Sequence, residues 1–168
     1  MSVLKSGKSP GNELDVINAH LPKYVDLTYT AASWNDGGSA YGSKSSGATT
    51  LPKGAVLIGF KITVSTLPAS STGSTQVTLK LGTLLANDAT YMAAKTINLS
   101  GYSPAGVAGD IYYAKAAATA VVDTALDPLI LTLTDVDGSP VDFGSGLTTP
   151  GAYTVRVYYH DLATIADA

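Results

Sequence analysis

The chain has 168 residues, of which only 14% are charged, with a net charge of −3 and no cysteine. That length suits one domain burying about 70% of its unfolded surface. The absence of cysteine excludes a disulfide framework and a thiolate metal site. The ten basic residues are scattered singly, so the basic stripe that a phosphate backbone demands is missing. Glutamate occurs once, at Glu13, while Thr and Val are abundant. That balance disfavours long surface helices and predicts an all-β domain.

Residues 1–11, MSVLKSGKSPG, lack periodicity and read as an extended arm. Asn12 as N-cap, with Leu14, Ile17 and Leu21 on one side, predicts a short helix that Pro22 ends. The division expected is an arm with a short helix over 1–22 and a β-sandwich domain over 23–168. The N-terminal stretch has no apolar signal-peptide core, and no segment approaches the roughly 20 apolar residues of a membrane helix. The expectation is a soluble product that folds in the cytosol and has no membrane partner.

Tyr24 to Ala32 alternates Val25, Leu27, Tyr29 and Ala31 with polar residues and reads as a strand. A long Gly/Ser-rich loop follows around Trp34 and Tyr41, of the kind that serves as a contact surface. Pro52, Lys53 and Gly54 make a turn into LPKGAVLIGFKITVST. There Val56, Ile58, Phe60, Ile62 and Val64 fall on every second position, which predicts a strand buried on that face. Thr75–Thr83 is the next strand, and the two read as a hairpin with a longer loop.

Tyr91–Leu99 and Asp110–Tyr113 read as short strands flanking a SPAGVAGD loop, and Thr119–Thr124 as another. Leu129, Leu131 and Leu133 share a face opposite Ile130, Thr132 and Thr134. DVDGSPVDFGSG then turns the chain, and GAYTVRVYYH sets Tyr153, Val155, Val157 and Tyr159 against Thr154, Arg156, Tyr158 and His160. Seven or eight strands spaced by about ten residues predict a β-sandwich or jelly-roll-like domain.

Few residues invite chemistry. Ser6–Gly7–Lys8–Ser9 ends like a phosphate-binding loop, but Ser2 stands where that motif needs its first glycine, and no strand precedes it. The two histidines, His20 and His160, come without a G-x-S-x-G elbow, and their spacing offers no metal pattern. Asp135, Asp137 and Asp142 hint at a calcium loop but lack the remaining acidic ligands. Asp137–Gly138 between apolar strands reads first as a hairpin turn. Nothing selects a carboxylate pair for glycoside hydrolysis. The expectation is a non-enzyme with no cofactor, no metal and no nucleic-acid partner.

LPKGAVLIGFKITVST, its polar turn, TQVTLKLGT and the closing GAYTVRVYYHDL together resemble small β-rich virion proteins of tailed bacteriophages. The resemblance covers about Leu51–Thr83 and Gly151–Leu162. It implies a capsid decoration (cement) or head-fibre protein, commonly a homotrimer, located on the outer capsid surface and bound to the major capsid protein. It also implies a terminal arm that grips capsid subunits, here with Val3, Leu4, Lys5 and Lys8 as its contacts. The alternative is a receptor-binding module that takes host surface glycans on outward tyrosines and the loop of Trp34 and Tyr41.

Overall fold

The computed structural model describes residues 21–32, 34, 42–46, 51–70, 75–82, 91–117, 122, 129–135 and 147–161. The expected arm and helix fall mostly on residues 1–20, outside the described residues. Leu21 and Pro22 are exposed and lead into the first strand.

Ten strands are described: β1 (Lys23–Tyr29), β2 (Gly42–Ser45), β3 (Ala55–Thr66), β4 (Ala69–Ser70), β5 (Gln76–Gly82), β6 (Met92–Asn98), β7 (Ile111–Lys115), β8 (Ile130–Asp135), β9 (Leu147–Thr149) and β10 (Ala152–Asp161). The first sheet has the order β1-β10-β3-β7 and the second β2-β8-β5-β6. Every pairing is antiparallel. Eight strands, four to a sheet, in this order form a jelly roll.

Among these eight strands only the step from β5 to β6 stays within one sheet; every other connection crosses between sheets. This corrects two sequence expectations. β3 and β5 are not a hairpin: β3 pairs with β10 and β7, while β5 pairs with β6 and β8. Nor does the DVDG segment join paired strands, since β8 and β10 lie in opposite sheets. Both errors have one cause. Two amphipathic strands can bury their apolar sides by facing each other across a core as well as by pairing side by side, and alternation is blind to the difference. The two crossovers are tied together by the short β4–β9 ribbon.

The core lies between the sheets. From the first sheet come Leu27 and Tyr29, Phe60, Ile62 and Val64, and Tyr153, Val155, Val157 and Tyr159. From the second come Val77, Leu79 and Leu81, Met92 and Ile97, and Leu131 and Leu133. Each large apolar side chain buried there contributes about 1.5–3 kcal/mol. The fully buried phenols of Tyr29 and Tyr153 do not lie there unpaired: Tyr29 Oη donates to the Leu129 carbonyl at 3.4 Å and Tyr153 Oη to that of Pro150 at 2.9 Å. Burial pushes both phenols well above their ordinary value.

β3 departs from the strict alternation of its sequence. Tyr158 stands opposite Gly59 but Tyr159 opposite Leu57, so Ile58 is an extra residue in a β-bulge. The phase reverses there. Ala55 and Leu57 point into the core, Val56 is half-buried, and Ile58 is exposed, against the expectation that Val56 and Ile58 share the inward face of Phe60. The turn before β3 forms as expected: the Ala55 amide donates to the Pro52 carbonyl at 3.1 Å, and Gly54 takes a φ of 79°. Of the strand expected at Thr119–Thr124 only Val122 is described. Its carbonyl accepts from the Gly54 amide at 2.8 Å, and its amide donates to the Ala55 carbonyl at 3.0 Å.

Candidate interaction surface

The outward face of the first sheet carries three cross-strand rows, because register aligns every second residue of four neighbouring strands. One row runs Tyr24, Tyr158, Gly59, Lys115. The next runs Asp26, Arg156, Lys61, Tyr113, and the third Thr28, Thr154, Thr63, Ile111. Tyr113 is 67% and Tyr24 58% exposed, and Ile58 and Ile111 are exposed beside them.

Arg156 organises the middle of this face. Its Nε and Nη2 donate to the two carboxylate oxygens of Asp26, each at 2.8 Å, a two-pronged geometry that fixes the guanidinium plane. The guanidinium lies 4.2 Å from the centroid of the Tyr24 ring, which in turn meets Tyr158 at 6.4 Å in a tilted arrangement. The Arg156 hydrogen bonds, helped by its charge and that of Lys61, hold the Asp26 carboxyl below its ordinary value of 3.8. The Asp26 bond likewise raises the guanidinium further above its already high value. Gly59 leaves an open step between Tyr158 and Lys115, and a Cβ there would approach the Ala114 carbonyl oxygen at 3.2 Å. The face therefore spans four strands, with the Tyr24 and Tyr158 rings grouped about a fixed cation.

Trp34 sits apart from these rows. It is half-buried, its Nε1 donates to the Thr30 carbonyl at 2.8 Å, and its ring meets the buried Tyr153 edge-on at 6.0 Å. Val3, Leu4, Lys5, Lys8 and Tyr41 lie outside the described residues, as do His20, Asp137 and Asp142. His160 is half-buried opposite Val56 at the end of β10. Among the described residues no three His, Asp or Glu side chains gather where they could hold a metal ion. The expected division of the tyrosines holds: Tyr153 and Tyr159 face the core, Tyr158 faces out, and Tyr112 and Tyr113 split.

Sequence reasoning passed over Tyr24, Lys61 and Arg156 as site residues. Each occupies a polar position of an alternating strand, so its outward direction could be read. Their meeting in adjacent rows depends on β1 pairing with β10 across more than a hundred residues of sequence. Compared with known proteins, the sequence matches no family model and no curated relative.

Proposed function

We propose that the protein is a non-enzymatic structural component of a tailed-bacteriophage virion: a capsid decoration protein that attaches to the outer surface of the major capsid protein as a homotrimer and stabilises the head. The observation that carries this reading is the outward sheet face that presents the exposed Tyr24 and Tyr113 together with the half-buried Tyr158 and Arg156. Tyr and Arg are the residues that protein interfaces favour. The outward face of a sheet suits a broad protein contact better than a small substrate, which calls for a concave pocket. Jelly rolls are also a frequent architecture of capsid proteins, an analogy of fold that supports the reading without carrying it. Repeating one contact around a trimer strengthens attachment through multivalency.

Antibody raised against the purified protein should label the whole outer head of phage particles that carry it, and the free protein should sediment as a trimer. Labelling confined to the tail, or a monomer that decorates no head, rules the reading out. The second reading, recognition of host glycans, draws support from the exposed Tyr24 and Tyr113 rings, since sugars stack on aromatic faces. It requires binding to purified host polysaccharide that Tyr113→Ala abolishes.

A further inference from the structure

The outward face of the first sheet differs from the rest of the chain in charge. Among the described residues its three rows carry three cations, Lys61, Lys115 and Arg156, against one carboxylate, Asp26, while the whole chain is at −3. Arg156 and Asp26 neutralise each other at 2.8 Å. That leaves Lys61 on β3, directly across from the exposed Tyr113, and Lys115, two residues along β7 from it. An acidic protein that keeps a cationic patch around an aromatic ring as exposed as Tyr113 presents a surface complementary to carboxylates. The same patch repels a second copy laid face to face upon it, since like charges would be juxtaposed. Exposed aliphatic side chains lie on the same side, Ile58 at the bulge and Ile111 at the edge. Aliphatic side chains gain from burial against a protein surface and have nothing to offer a sugar hydroxyl or a phosphate.

We propose that this face docks an acidic patch of a partner protein, with Tyr113, Ile58 and Ile111 as apolar anchors and Lys61 and Lys115 meeting partner carboxylates. The inference rests on the attachment reading above for taking a protein assembly as the partner. It adds which face is buried and what chemistry it meets.

The test uses the full chain, phage heads lacking the protein, and three variants: Lys115→Glu, Lys61→Glu with Lys115→Glu, and Tyr113→Ala. Co-sedimentation is measured from low to high salt, with a DNA duplex and the anionic polysaccharide alginate as competitors. Circular dichroism checks folding, and the exposed edge-strand variant Lys115→Glu serves if the double variant misfolds. The expected result is wild-type decoration that weakens as salt screens the contact. The double variant should lose about tenfold or more in affinity and Tyr113→Ala a comparable amount, with neither competitor displacing the protein. Folded variants that decorate like wild type overturn the inference while leaving attachment intact. So does salt-independent binding, or displacement by DNA or alginate. Variants that break up the free oligomer show that the face joins copies of this chain, which also overturns it. Wild-type protein that decorates no head overturns the attachment reading itself, and this inference with it.

Discussion

The two sheets are built from strands with the same alternating pattern, yet their outward faces are opposites. On the first sheet that face is open, with Tyr24 and Tyr113 more than half exposed and a charged pair at its centre. On the second sheet the outward positions of β5 and β8 include Thr78, Thr132 and Thr134, all three buried and the last two completely, with Gln76, Lys80 and Ile130 half-buried on the same face. Among the described residues the Thr132 and Thr134 hydroxyls have no hydrogen-bond partner. Alternation therefore identifies which side of a strand meets the core and leaves open whether the other side meets water. Threonine tolerates either outcome, because its methyl packs well and its hydroxyl costs only modestly when buried.

The largest effect should come from the core that the two sheets share. Leu131→Ala removes a fully buried side chain facing the first sheet, and a loss of about 2–5 kcal/mol is expected. Trp34, the sole tryptophan, rests half-buried against Tyr153 and supplies a fluorescence signal for that unfolding measurement. Gly151→Ala comes next. Gly151 has a φ of 82°, and a Cβ there would sit 2.7 Å from the Thr66 carbonyl oxygen and 2.8 Å from Tyr153 Oη. A cost of about 1–3 kcal/mol is expected in denaturant titration, because the positive φ is strained for alanine and the Thr66 contact is with backbone that must shift.

Thr134→Val separates the two outward faces. It replaces an unpartnered buried hydroxyl with a methyl of the same shape, so a gain of about 1 kcal/mol is expected. The same exchange at Thr28, exposed on the first sheet, should stay within about 0.5 kcal/mol. If both substitutions behave alike, the contrast between the faces is wrong. The smallest effect concerns pH. Asp26 is held below 3.8 in the folded chain, chiefly by Arg156. Its stabilising contribution is therefore present above the ordinary carboxylate value and is lost as pH falls through the lower folded one. In Arg156→Ala that acid-side loss should shrink, and the Asp26 carboxyl should titrate closer to 3.8 by NMR.

Much of the fold was legible along the chain. β1, β3, β5, β8 and β10 all lie where two-residue periodicity puts them, because a buried face imposes that period on any strand. The inward tyrosines Tyr153 and Tyr159 were legible for the same reason. Ile58 was not, since a bulge depends on how β10 sits against β3 and leaves no mark in the apolar pattern. The pairing partners were not legible either, and the hairpin expected between β3 and β5 failed on that point. Of the candidate surface, the outward direction of Tyr158 and Arg156 could be read, but the stacking of Arg156 on Tyr24 could not.

Sequence alone determined that this chain makes strands, where most of them lie and, away from the bulge at Ile58, which residues they turn inward, because those properties follow from local alternation and turn chemistry. Only the tertiary structure decided which strands are neighbours, and so which outward side chains share a surface. Pairing joins residues far apart in the chain, and its energy is realised only when both strands are in place. Asp26 and Arg156 are 130 positions apart and meet at 2.8 Å solely because the last strand returns beside the first.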